Sequence, residues 1–211
     1  GGMFNPIECL ALYALVRSDK PENVLEVGSL LGKSTVLIQQ ALEYNECGRL
    51  TTCDLKERSK LTRRNVDKLF PDNKINFLSG PIEENTDNLK NVDFLLIDGP
   101  HSSDFMYWCV DNLVTKVLEN KFILIHDINL SFNWNYRDTP GCETECIMKL
   151  KMEGKLPLKK VVWFEDWCLN HHLKEFRNIL YEDFPMVGRW GILSGPESAS
   201  LSVWLKKELD A

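Results

Sequence analysis

Short apolar runs that end in glycine or an acid, each followed by a helical stretch, restrict what this chain can fold into more than any other feature of it. Asn23–Val27 runs into Gly28, and Leu50–Asp54 ends on an acid. Ile75–Leu78 leads into Ser79 and Gly80, Val92–Ile97 ends at Asp98, and Lys121–Ile125 ends at His126 and Asp127. Between the runs the spacing predicts helices over Lys33–Tyr44, Arg58–Phe70 and Phe105–Leu118, with Gly48 and Pro71 as stops. A further helix is expected over Pro6–Arg17, where Pro6 suits the first helical position and Asn5 the cap. Strands alternating with helices build a mostly parallel sheet, and uninterrupted apolar runs fit strands covered on both faces. The expected class is α/β, a Rossmann-like doubly wound sheet of about seven mostly parallel strands with helices on both faces. Beyond Asp127 the pattern weakens to a polar, aromatic loop over Ser131–Gly141, a helix over Glu143–Met152, and late strands over Val161–Phe164 and Trp190–Leu193.

The 211 residues suit a single domain, expected over residues 3–211 with Gly1 and Gly2 read as a cloning remnant ahead of Met3. Lys plus Arg is 25 and Asp plus Glu 31, a net charge of −6, so a nucleic-acid backbone is not the expected partner. No apolar run is long enough to span a membrane and no secretory leader is visible. The seven cysteines, an odd number without a zinc-type spacing, read as reduced thiols of a cytoplasmic protein.

In open α/β sheets ligands bind outside the carboxyl ends of the strands, and the chemistry-bearing residues fall there. The first turn reads Glu26-Val27-Gly28-Ser29-Leu30-Leu31-Gly32-Lys33-Ser34. A dinucleotide fingerprint would need glycine where Leu30 stands, and a P-loop would need one more residue between Gly28 and Gly32. The third reading is E-x-G-x-x-x-G with an acid closing the second strand, and Asp54 supplies that acid. A carboxylate at that place can accept from both hydroxyls of a ribose.

On these residues the chain resembles the class I S-adenosylmethionine-dependent methyltransferases. The likeness is to the small O-methyltransferase branch with E-x-G-S-x-x-G-x-S-T, I-D-G-x-H and H-D motifs. Here these are Glu26 to Thr35, Ile97 to His101, and His126-Asp127, so the resemblance spans Asn23 to Asp127. That branch looks related to the catechol, caffeoyl-CoA and macrolide-sugar O-methyltransferases. The resemblance implies S-adenosylmethionine as cofactor. Glu26, Gly28, Ser29, Gly32 and Ser34 would surround its methionine end, with Asp98 beside them. Asp54 would take the ribose, Leu55 would pack on the base, and Ser79, Gly80, Pro81 and Ile82 would hold the adenine.

Asp98 and Asp127 close neighbouring apolar strands at one edge, and two carboxylates there are costly to desolvate unless paired or metal-bound. With the resemblance, Asp98, His126 and Asp127 become candidate ligands of a divalent cation such as Mg²⁺, and His101 the candidate base beside Asp98. His126 stands where the sugar enzymes carry an acid, and Ile128 where the catechol type carries Asn. The expected reaction is methyl transfer to a hydroxyl of a small-molecule acceptor, in a protein that can be a homo-oligomer. Two rivals are a non-catalytic S-adenosylmethionine-binding accessory protein, and a nucleotide hydrolase using Gly32-Lys33-Ser34 with Asp98 on magnesium.

Overall fold

The computed structural model describes residues 4, 6–86, 89, 91–126, 143–155, 160–163 and 202–205. In chain order they form α1 (Pro6–Asp19), β1 (Asn23–Val27), α2 (Lys33–Asn45), β2 (Arg49–Asp54), α3 (Lys56–Asp67) and β3 (Asn76–Ser79). Then come β4 (Val92–Ile97), α4 (Ser103–Asn112), β5 (Val117–Ile125), α5 (Glu143–Met152), β6 (Lys160–Trp163) and β7 (Ser202–Leu205). Strands β1 to β5 are parallel in the order β3-β2-β1-β4-β5. Beyond β5, β7 pairs antiparallel with it and β6 pairs antiparallel with β7. The expected loop over Ser131–Gly141 and strand over Trp190–Leu193 lie outside the described residues.

The side-chain period of two along each strand sorts the core into two layers. Leu25, Val27, Leu95, Ile97, Ile123 and Ile125 pack under α4 and α5 with Phe105, Met106, Val110 and Ile147. Val24, Leu50, Phe94, Leu96 and Leu124 face the other way, onto Leu12, Tyr13 and Val16 of α1, Ile38 and Leu42 of α2, and Val66 of α3. Helices therefore cover both faces, which is why all six residues of β4 are buried. Tyr107 and Trp108 lie against the first layer.

One helix boundary departs from the pattern. The helix expected over Phe105–Leu118 stops at Asn112, passes through a 3₁₀ turn at Val114–Lys116, and gives way to β5 at Val117. The apolar spacing continues past Asn112, but Val114, Thr115 and Val117 are β-branched and poor helix formers. The start of α4 is set by Ser102, whose side chain accepts from the Phe105 backbone N–H. Asp93 ties the amino ends of β1 and β4 together by accepting from the backbone N–H groups of Glu22 and Asn23 at 2.8 Å each. Among the described residues no helix is long and apolar enough to cross a membrane.

Candidate functional site

The strand order places β1 and β4 side by side although two strands separate them in sequence, so the chain turns back at this junction. A switch point of this kind leaves a crevice at the carboxyl edge. Four backbone bonds draw the strand ends together there. The Gly28 N–H donates to the Cys53 carbonyl at 2.8 Å and the Asp98 N–H to the Val27 carbonyl at 2.7 Å. The His126 N–H donates to the Ile97 carbonyl at 2.9 Å and the Gly80 N–H to the Asp54 carbonyl at 3.0 Å. A cavity of about 720 Å³ opens over this edge. That size suits a nucleoside-sized ligand.

Of the expected cofactor residues, Gly28, Asp54, Leu55, Gly80, Pro81, Ile82 and Asp98 line this cavity, and so does His101. Glu26, Ser29, Gly32, Ser34, Ser79 and His126 are not among its lining residues, and Asp127 lies outside the described residues. Leu55 is 53% exposed, a large apolar side chain held at the cavity wall. Sequence reasoning missed Arg58 and Glu83, which also line it. The signal was available: Arg58 lies in the first turn of the helix after Asp54, and Glu83 just after the third strand.

Asp54 does more than face the cavity. Its Oδ2 accepts from the Ser29 N–H at 2.9 Å, the Leu30 N–H at 2.7 Å and the Ser29 hydroxyl at 3.3 Å. Its Oδ1 accepts from the Leu55 N–H at 2.7 Å. The Ser29 hydroxyl also meets the Thr62 hydroxyl at 2.9 Å. The carboxylate is thus the staple of the glycine turn. A carboxylate has about four lone-pair sites, so with the turn in this arrangement the spare capacity for a ribose is on Oδ1.

Glu26 and Ser34 sit one layer below. Glu26 is 0% exposed, and its Oε1 accepts from the Ser34 hydroxyl at 2.5 Å. Its Oε2 accepts from the Thr35 and Thr52 hydroxyls at 2.6 and 2.7 Å. This cluster ties β1, β2 and the first turn of α2 together beneath the cavity. Burial pushes the Glu26 carboxyl up to about 7, against the opposing pull of the three hydroxyls. A carboxyl held above its ordinary 4.5 favours the folded state most when protonated, so its contribution is full at low pH and is lost as pH rises toward 7. Wild-type stability in urea is therefore expected to fall across that interval by about 3 kcal/mol more than that of Glu26→Gln. Equal pH slopes for the two proteins would contradict this account.

The adenine edge expected at Ser79–Ile82 is bounded below by Cys53. Burial pushes the Cys53 thiol up to about 11, helped by the charges of Asp54 and Glu83, and its Sγ lies 3.4 Å from the Gly80 carbonyl. It is a packing thiol rather than a nucleophile.

Asp98 lines the cavity and His126 lies behind it. The His126 ring is 1% exposed and is stacked on Phe4 with centroids 4.0 Å apart. Its Nδ1 is 3.4 Å from Asp98 Oδ1 and its Nε2 is 3.2 Å from Glu8 Oε2. Both ring nitrogens thus face carboxylates. That differs from the expected ligand set, because a metal-bound imidazole needs one nitrogen turned to the ion. Among the described residues no group of three or more His, Cys, Asp or Glu side chains is placed to hold a metal. Asp127, the third residue of the expected set, lies outside the described residues, and the described pair Asp98 and His126 by itself forms no divalent-cation site.

Lys33 departs from the hydrolase rival. Its ammonium donates to the Phe4 carbonyl at 2.6 Å, fastening the residues ahead of α1, and it is not among the cavity-lining residues. A phosphate cradle needs that lysine turned to the ligand.

A family model described as a methyltransferase domain matches residues 25–128, the stretch that carries the glycine turn, Asp54, Asp98, His101 and His126. Comparison with curated protein sequences found no match. Among solved structures, the O-methyltransferase TomG from Streptomyces achromogenes, involved in tomaymycin synthesis and solved with SAM, superposes with a TM-score of 0.66 at 11% identity, covering 96% of this chain and 81% of that one. The O-methyltransferase from Bacillus cereus, solved with SAH, gives 0.66 at 12% identity, covering 97% and 83%. A putative caffeoyl-CoA O-methyltransferase from Staphylococcus aureus gives 0.66 at 12% identity, covering 97% and 85%. At these identities the likeness establishes the shared fold.

Proposed function

We propose that this chain, with a methyltransferase-domain match over residues 25–128, moves a methyl group from S-adenosylmethionine to a hydroxyl oxygen of a small-molecule acceptor. The observation that carries the reading is the convergence of Gly28, Asp54, Leu55, Asp98 and His101 on one cavity at the β1–β4 junction. S-adenosylmethionine, when bound, supplies a methyl made electrophilic by its sulfonium.

The chain's residues bind, orient and deprotonate. The turn at Gly28 lets a ligand approach the backbone, and Asp54 has acceptor capacity left at Oδ1 for a ribose hydroxyl. Leu55 and Ile82 offer apolar surface to a base. His101 lines the cavity beside Asp98 and Gly99. In this reading His101 would take the proton of the acceptor hydroxyl, the group that S-adenosylmethionine, when bound, would methylate as its methyl–sulfur bond breaks and S-adenosylhomocysteine leaves. No metal role is assigned to Asp98 and His126, whose side chains face each other at 3.4 Å with Glu8 3.2 Å from the far nitrogen of His126.

Transfer of a tritiated methyl group from S-adenosylmethionine to a panel of catechols, phenols and sugar hydroxyls tests this reading. Wild-type protein is expected to label at least one acceptor class. His101→Ala should lower that rate by about 100-fold while S-adenosylhomocysteine binding stays within about twofold. Full labelling by His101→Ala would remove His101 from the proposed chemistry.

A further inference from the structure

Behind the cavity wall, the carboxyl edge connects to the first helix through a run of buried polar side chains. The β4–β5 register pairs Ile97 with Ile125, so the next residues, Asp98 and His126, come side by side just past the strand ends. Glu8, 2% exposed in the first turn of α1, meets the far nitrogen of His126. Phe4 stacks flat on the same ring at 9° and is itself held by Lys33 through its carbonyl. The result is a line from Glu8 through His126 to Asp98, of which the last member faces the cavity.

A buried acid and a buried histidine are costly to desolvate, and neither is on the wall where a ligand would touch it. What the line does is restrict Asp98. A short carboxylate at a strand end can turn about two side-chain bonds, and a histidine fixed from behind by an acid and a stacked ring presents its Nδ1 to one Asp98 oxygen. The other face of the carboxylate is left for the cavity.

We infer that Glu8, acting through His126, is a positioning residue that fixes the Asp98 carboxylate to receive the α-ammonium of the cofactor's amino-acid tail. This rests on the S-adenosyl reading above. Asp98 suits that partner because Asp54 spends Oδ2 on the glycine turn and its spare capacity at Oδ1 goes to the ribose in the reading above. An ammonium and a carboxylate held in a partly enclosed wall form a charge-assisted hydrogen bond that depends on geometry.

Calorimetric titration with two probes separates this role from a structural one. S-adenosylhomocysteine carries the amino-acid tail, and 5′-methylthioadenosine shares its adenosine but lacks that tail. Glu8→Ala and Asp98→Asn should each weaken S-adenosylhomocysteine by about tenfold and 5′-methylthioadenosine by no more than about twofold. The double variant should bind S-adenosylhomocysteine no more weakly than Asp98→Asn alone, because the two residues act through one contact. If Glu8→Ala does not fold, Glu8→Gln, which keeps an oxygen toward His126, should show the same selective loss at smaller size. Equal losses for both probes, no loss for either, or additive losses in the double variant would overturn the positioning role and leave the cofactor reading intact. Failure of the wild-type protein to bind either probe would overturn both.

Discussion

Gly28→Ala is expected to leave the protein largely unfolded. Gly28 has φ +87, in the left-handed region, and a Cβ built there would sit 1.8 Å from the Asp98 carbonyl oxygen. That oxygen belongs to backbone, so it cannot swing aside as a side chain could. The same junction holds the bond from the Asp98 N–H to the Val27 carbonyl, and moving β4 away breaks it. Backbone strain and a clash at the centre of the sheet together are expected to cost about 4 kcal/mol or more. Against a total of about 5–15 kcal/mol for a domain, little stability remains. Gly80→Ala is the matched control. Its φ is +115, but the nearest atoms to a new Cβ are Glu84 Oε2 at 3.7 Å and Asn85 Nδ2 at 3.9 Å. It carries strain without a clash, and its loss should be about 1–3 kcal/mol. Urea unfolding compares the two, and equal midpoints for Gly28→Ala and Gly80→Ala would contradict the close approach of β4 to the turn.

Asp54→Ala carries the second large effect, on stability and binding together. The carboxylate accepts from three backbone N–H groups, those of Ser29, Leu30 and Leu55. Leu30 holds φ 48, an uncommon conformation for a branched side chain, and the Asp54 carboxylate is the acceptor that its N–H meets. Losing these charge-assisted bonds is expected to cost about 3 kcal/mol. For a chain of this size that is a fall in melting temperature of roughly 6–12 °C. The cavity also loses the proposed ribose acceptor, so S-adenosylhomocysteine should no longer raise the melting temperature of the variant. A variant that melts like wild type would show that the turn holds without its staple.

The parts of the fold that local pattern dictates were legible. β1 and β4 are unbroken apolar runs because both of their faces are covered, and the helices between strands follow from apolar spacing and glycine or proline stops. The end of α4 was not, because the apolar spacing ran on through Val114 and Val117 while β-branching favoured an extended chain. The short strand Ser202–Leu205 follows a stretch of alternating serine and apolar residues too brief to stand out.

The site divides in the same way. Gly28, Asp54 and Asp98 were legible because strand ends of a parallel sheet share one edge, whatever the side chains do. Glu26, expected at the methionine end of the cofactor, is the acceptor of three buried hydroxyls, one from another strand. Lys33 sits in a Gly-Lys-Ser sequence, yet tertiary structure spends it on Phe4. The contact between Glu8 and His126 spans 118 residues, and an acid in the first turn of a helix ordinarily needs no further explanation. Long-range polar pairing of this kind leaves no periodic trace.

The central claim, an S-adenosyl site at the β1–β4 junction, is tested most directly by melting the wild-type protein with S-adenosylhomocysteine and, separately, with ATP and Mg²⁺. Ligand at a hundredfold over its dissociation constant adds about 2.7 kcal/mol. For this chain the predicted rise with S-adenosylhomocysteine is roughly 5–10 °C, with none from ATP and Mg²⁺. A rise with ATP and Mg²⁺ alone, or no rise with S-adenosylhomocysteine at saturating concentration, would contradict the account.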